Sequence, residues 1–409
     1  MDLDAAKHRI RAEVEGRAGA LLDVSHRIHD HPELNYEERF AHDLLTEVLA
    51  GEGLEVERGA FGLDTAFVAR AGSTGPTIAV LCEYDALPGI GHACGHNIIA
   101  TAGLGAGLAA AAIAEEAGGR VVVLGTPAEE GGGGKIRLAQ RGAFDGVDAA
   151  LMVHPAGADL TRMDTIAVQE VTATYTGEAA HAAAFPHLGR NALDAAVLGY
   201  LNVAALRQHI LPAERIHGIF TEGGDKPNIV PARARTEWMV RSTSIASLGP
   251  LKERVEACLR AGAAAAGCSV EVAWKDVVYA DLLDNAVLVD AFTANAAALG
   301  RTLAVPDDAH SVTGSTDMGN VSYLTPSIHP MIQAAPDGVP IHTPEFAAHA
   351  RGAMGDRAAL DGAVALGWTV VDLWLGAGVL DAARTEFEAT LARVGPSAQR
   401  SAIGGSDEA

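Results

Sequence analysis

At 409 residues the chain is long for a single hydrophobic core, so two domains are expected. Hydrophobic residues make up 49% and charged residues 20%, as in soluble globular proteins. The 30 basic against 52 acidic residues leave a net charge of −22, which argues against nucleic acid or an anionic membrane as partner, since both need a basic face. The opening stretch MDLDAAKHRIRAEVEG is charged and helical in pattern, without the apolar centre of a secretory signal. The most apolar run, ATAGLGAGLAAAAIA (100–114), is short for a membrane span. Four cysteines in a chain of this size make no disulfide framework, so a reduced, cytoplasmic protein is expected.

Apolar residues at helical spacing predict helices over 3–30 and 36–52. Four short apolar runs follow, DTAFVARAG, PTIAVLCEYD, RVVVLGTPAEE and DAALMVHPA, with helical stretches near 95–117 and 134–141 between some of them. Such alternation predicts an α/β domain on a mainly parallel sheet, whose ligands bind at the carboxyl ends of strands. Asp85, Glu129, Glu130 and His154 all stand just past an apolar run. From about 165 the pattern changes. IAVQEVTATYTG and ARARTEWMVRS alternate apolar with polar, helices are expected near 189–208 and 247–264, and CSVEVAWKDV closes the segment. This reads as β-α-β-β-α-β, an inserted α+β sandwich over 167–278 that interrupts a first domain formed by 1–166 and 279–395. Two further helices are expected near 356–376 and 381–393, and the polar segment 396–409 reads as a disordered tail.

The chemistry-bearing residues lie at the junctions. HACGHN puts Cys94 and His96 two positions apart between a strand and an Ala/Gly-rich helix. Thiolate and neutral imidazole suit zinc or a similar late divalent metal, at about 2.3 and 2.0–2.1 Å. A lone C-x-H is more often a buried cysteine beside a histidine. TPAEEGGGG sets Glu129 and Glu130 after an apolar run. Alone this is a solvated turn, but one carboxylate can hold a metal while its neighbour takes a proton from a water that the metal has acidified to a pKa of ~7. His154 ends the run LMVHPA, and His342 in IHTPEF precedes Thr343 and Pro344, which look like an N-cap and a first helical residue. Each is unremarkable alone. Together they supply enough ligands for two metals ~3.5–4 Å apart. In the inserted segment His181 precedes a helix and Asn228 sits in KPNIVPAR, and GSTDMGNVS forms a turn around Asp317.

In order, EYDALPGIGHACGHN, TPAEEGGGG, MVHP, HAAAFPHLGRNA, NIVP and IHTPEF resemble the motifs of the dinuclear zinc aminoacylase/carboxypeptidase family of metallopeptidases, in its amidohydrolase branch. That branch includes indoleacetyl-amino-acid hydrolases, aminobenzoyl-glutamate hydrolase and a dipeptidase subgroup. The resemblance implies a metal-binding α/β domain with an inserted lid that mediates homodimerisation. It implies two divalent ions per subunit (zinc, with manganese or cobalt as alternatives) held by Cys94, His96, Glu130, His154 and His342. It makes Glu129 the general base and His181 a lid residue that stabilises the oxyanion, places Asn228 near the substrate, and gives Asp85 the task of orienting a ligand. Two positions depart from the pattern. Glu83 stands where many relatives carry histidine and is not counted as a ligand, and Asn97 replaces the aspartate of the common H-A-C-G-H-D. His92 is left out of the ligand set.

The expected reaction is hydrolysis of the amide bond in a small N-acyl amino acid or dipeptide. An aminobenzoyl-glutamate-type hydrolase, a non-catalytic subunit that keeps its metal site, and a Cys94/His96 thiol hydrolase are the competing readings.

Overall fold

A computed structural model describes residues 1–307 and 313–404. The chain divides into two compact units, Met1–Asp164 with Leu282–Gln399, and Thr165–Asp281 with the residues from Arg400 onward.

The first unit begins with α1 (Leu3–Gly16), α2 (Ala18–Asp30) and α3 (Arg39–Gly51). Strands β1 (Glu55–Arg58), β2 (Phe67–Ala71) and β3 (Thr77–Cys82) lead to α4 (His96–Ala111). Then come β4 (Arg120–Gly125), α5 (Gly134–Gln140), β5 (Ala149–Leu151) and β6 (His154–Ala156). After the second unit the chain returns through α6 (Ala286–Ala298), β7 (Ser327–Ile328), β8 (Met331–Gln333), α7 (Pro344–Ala350), α8 (Ala353–Leu375) and α9 (Val379–Ala402). Among the described residues the main sheet runs β1-β2-β4-β3-β5-β7. Its β4-β3-β5-β7 half is parallel, whereas β1 and β2 add an antiparallel edge.

α4 explains why the sheet can be covered so closely. From His96 to Ala110 every residue is buried, as befits a helix apolar on all sides. Its glycines are points of contact. A Cβ on Gly103 would lie 2.5 Å from the Leu81 carbonyl oxygen and 2.7 Å from Cys82 Sγ, and one on Gly107 would lie 2.2 Å from Val123 Cγ2. α8 packs on its other side. By length and composition α8 could cross a membrane, but it is mostly buried as a core helix of this unit.

The second unit is built from Ala167–Thr176, Ala192–Leu206, Arg215–Glu222, Arg233–Ser242, Ile245–Ala265 and Ser269–Tyr279, in the order strand-helix-strand-strand-helix-strand. Its sheet is antiparallel, with strand 215–222 at one edge. Burial along Ala167–Thr176 alternates as a half-buried strand requires. The two helices touch at Gly199 and Gly262, where a Cβ on Gly262 would lie 2.3 Å from the Gly199 nitrogen.

Two details differ from the sequence reading. The 3–30 helix breaks at Arg17 into α1 and α2. The segment from 396, expected as a disordered tail, instead stays helical through Ala402 after a break at Gly395. Ala398 and Ala402 are buried; residues 405–409 lie outside the described residues.

Replacing Gly103 by valine is expected to destabilise the first unit by about 1–3 kcal/mol through overpacking against β3. A urea midpoint no lower than that of the parent chain would contradict this packing account.

Candidate metal centre

The HACGH turn enters α4 through Gly95 at φ 78°, and a side chain there would meet Pro155 Cγ at 2.5 Å and Phe346 Cε1 at 3.3 Å. That absence of a Cβ lets the turn close against β6 and α7. His342 is held at the entrance of α7 with φ 64°, its N–H donating to the Ala93 carbonyl at 2.8 Å. Thr343 caps α7, accepting the Phe346 N–H, and Pro344 starts it, as the motif predicts.

These supports bring the five expected ligands together. Cys94 Sγ lies 3.4 Å from His154 Nε2 and 3.3 Å from His342 Nε2. Glu130 Oε1 lies 3.6 Å from His342 Nε2 and 3.8 Å from His96 Nε2. Such separations fit donor atoms sharing ions at about 2.0–2.3 Å. Cys94, His96 and His154 form one group of possible ligands and Cys94, Glu130 and His342 a second, so the thiol is common to both. Glu83, His96 and Glu129 form a third, with Glu83 Oε2 3.5 Å from His96 Nε2. His92 joins none of them among the described residues.

One carboxylate aims two of the expected ligands. Asp85 Oδ1 accepts the His96 Nδ1–H at 3.0 Å, and Oδ2 accepts the Glu130 N–H at 2.9 Å. This fixes the His96 tautomer and leaves Nε2 to face the other ligands. The Pro155 carbonyl does the same for His154 Nδ1 at 2.8 Å. His96 Nε2 and Glu130 Oε1 are buried with no hydrogen-bond partner among the described residues, which is costly unless something else satisfies them.

Burial dominates the proton affinities. It pushes the Cys94 thiol well up, with the Glu130 charge adding to the effect. It pushes His154 well down, helped by His329 and His96. Burial also raises Glu129 well above the usual carboxylate range, reinforced by Glu83 and Glu130. For His96 burial opposes the charge, but Asp85 and Cys94 outweigh it and hold its pKa well above normal. Acids, a thiol and imidazoles crowded together, all but His342 largely out of water, are a donor set that a divalent cation fits. Lys135 is the buried cation on this side: its Nζ pairs with Glu83 Oε1 and, at 2.6 Å, with Asp317 Oδ1.

His181 and Asn228 lie in the second unit, both exposed and next to one another. His181 bridges to Ile229, and the Ala182 N–H donates to the Asn228 carbonyl at 3.0 Å. Asn97 has a structural task. Its Nδ2 donates to Ser25 Oγ at 2.9 Å and to the Ala350 carbonyl at 3.0 Å, tying α4 to α2 and to the end of α7. An ionised aspartate there could not donate to that carbonyl.

Sequence reasoning missed His329, buried with its ring centroid 5.1 Å from that of His154. The signal was present. S-I-H-P ends β7 as M-V-H-P follows β5, and the two strands are parallel neighbours. Glu38 and Tyr36, under the Glu129 loop, gave no comparable signal.

A family model described as peptidase family M20/M25/M40 matches residues 79–350. The chain belongs to this family. It is 39% identical to the mouse Xaa-Arg dipeptidase, over 95% of this chain and 94% of that protein. It is 30% identical to one of the polypeptides of the Escherichia coli p-aminobenzoyl-glutamate hydrolase, over 92% of this chain and 93% of that one. A dinuclear metal-binding M20 peptidase of Bacillus subtilis shares the fold, with a TM-score of 0.68 at 19% identity over 88% of this chain and 99% of that one. Membership makes this M20 chain a hydrolase of amide bonds.

Because Asp85 bonds to both His96 and Glu130, Asp85→Ala is expected to weaken divalent-metal binding by about 10- to 100-fold. Competition against a chromophoric chelator measures this, and an unchanged affinity would refute the alignment.

Proposed function

We propose that this M20 chain is a dinuclear metal-dependent dipeptidase whose ions are held by Cys94, His96, Glu130, His154 and His342. The observation that carries the reading is the thiol of Cys94 set between His154 Nε2 and His342 Nε2 at 3.4 and 3.3 Å, with Glu130 beside His342. Zinc is the proposed metal, from the thiolate and imidazole donors, with manganese and cobalt as alternatives. Bound there, the ions supply Lewis acidity to the scissile carbonyl and to the attacking water.

The protein's own groups do the rest. Glu129 takes a proton from the attacking water on a carboxylate oxygen and delivers it to the leaving nitrogen. His181 donates to the developing oxyanion, and Asn228, its neighbour, contacts the substrate. The second unit is proposed as a lid and as the site of homodimerisation. Ile219 and Phe220 are 62% and 41% exposed on its edge strand, and Leu201 on its first helix is 57% exposed. A cytoplasmic location fits four cysteines that are all free. Glu83 is proposed to stay paired with Lys135 and not to act as a ligand.

For substrate, the more similar relative points to a dipeptide ending in arginine. An aminobenzoyl-glutamate-type substrate is the second reading, from a relative that also covers nearly the whole chain.

Amine release from Ala-Arg, N-acetyl amino acids and aminobenzoyl-glutamate decides between these. Chelation is expected to abolish turnover, and zinc, manganese or cobalt to restore it; loss on thiol alkylation without metal dependence would instead favour a Cys94 nucleophile. Glu129→Ala should eliminate turnover while both metals stay bound, and near-parental activity would remove Glu129 from its role. His181→Ala is expected to lower kcat by about 10²–10³-fold, as for loss of one oxyanion donor, against no loss if His181 stands clear of the reaction.

A further inference from the structure

Glu38 is a buried acid to which the reaction above gives no task. It is 0% exposed just before α3, yet it makes no side-chain capping bond to that helix. Its Oε1 accepts the N–H of Tyr36 at 2.9 Å and the N–H of Ala128 at 2.8 Å, and its Oε2 accepts the Thr65 hydroxyl at 2.9 Å. Burial raises its pKa to about 7, so the fold bears a cost for keeping a carboxyl group here. A position needed only for packing would take an apolar residue without that cost.

Both backbone groups that Glu38 receives belong to residues in the left-handed region, Tyr36 at φ 62° and Ala128 at φ 59°. Such conformations persist in residues other than glycine only where the surroundings impose them. Ala128 is the residue directly before Glu129. At the far end of the same loop the Tyr36 hydroxyl donates to the Gly132 carbonyl at 2.7 Å. The Tyr36 ring also lies so close that a Cβ on Gly132 would meet its Cε2 at 2.6 Å. The loop is closed on itself as well, since the Gly132 N–H donates to the Ala128 carbonyl at 3.0 Å. Glu129 and Glu130 are thus gripped from both sides by a segment far away in sequence.

We infer that Glu38 is a positioning residue: through the Ala128 N–H it fixes the backbone from which Glu129 and Glu130 project, with Tyr36 completing the grip at Gly132. The inference rests on the roles proposed above for those two carboxylates. It predicts an effect on the geometry of the metal centre and on kcat, with little on substrate binding.

The test uses the full chain loaded with cobalt(II), reading the ligand-field spectrum, cobalt affinity by chelator competition, and kcat and KM for Ala-Arg. Glu38→Ala is expected to alter the spectrum and to lower kcat by about 10- to 100-fold with KM little changed. Glu38→Gln keeps a carbonyl oxygen for both backbone N–H groups and should recover the parental spectrum and most of kcat. A parental spectrum and kcat in Glu38→Ala would overturn the inference, as would a Glu38→Gln variant as impaired as Glu38→Ala. Should Glu38→Ala not fold, Tyr36→Phe decides. A shifted spectrum and lower kcat support the grip, and parental values overturn it. If the parent chain binds no cobalt, the metal-centre reading fails and the inference with it. If the parent binds cobalt but leaves Ala-Arg intact, only the substrate is wrong, and the spectra still decide.

Discussion

The centre depends on one carboxylate having two oxygens. Asp85 directs one to the His96 ring and the other to the Glu130 N–H, so the segment after β3 sets the aim of two proposed ligands, His96 on α4 and Glu130 after β4. These elements are already locked together by the sheet, where β3 and β4 pair in parallel from Thr77↔Arg120 to Cys82↔Gly125. Sheet register therefore becomes ligand geometry with no flexible link between. A longer or shorter acid at 85 would have to give up one of the two bonds.

Crowding acids out of water is unfavourable, and the fold offsets that penalty locally. Lys135 pairs with Glu83 and Asp317 at the back of the site. Desolvation favours a neutral His154 and a protonated Cys94 until a cation binds. His154 is thereby kept in the neutral form that can bind a metal, whereas the Cys94 thiol must lose its proton first, so metal binding there would be coupled to proton release. Glu129 stands at the edge of this set, and the charges that raise its proton affinity come from Glu83 and Glu130.

Much of this was legible in the residues. The apolar runs marked the strands, and the polar residues just past them, Asp85, Glu129, Glu130 and His154, stand at one end of one sheet. The length of its Ala/Gly-rich apolar run located α4, and alternating apolar residues marked the strands of the second unit. Sequence pattern failed after Gly395, where a segment of polar composition is helical through Ala402. It also failed where remote contacts set the backbone conformation. Nothing in N-Y-E-E announces that Tyr36 and Ala128 take up left-handed conformations under a shared carboxylate. Asn97 was visible as a departure from a motif, but its reason, a carbonyl at the end of α7, was not.

Residue types and motif order together were enough to favour one kind of chemistry. A thiol, imidazoles and paired acids at strand ends point to a metal-assisted hydrolase, because donor type follows directly from residue type. Folding was needed to set Cys94 between His154 and His342, the latter 248 positions away, and to bring Asp85 to His96, Glu38 to the Ala128 N–H and Lys135 to Glu83. Those are distances between segments remote along the chain, and they are set by sheet register, by glycine contacts of α4 and by buried hydrogen bonds. None of these has a local signature in sequence.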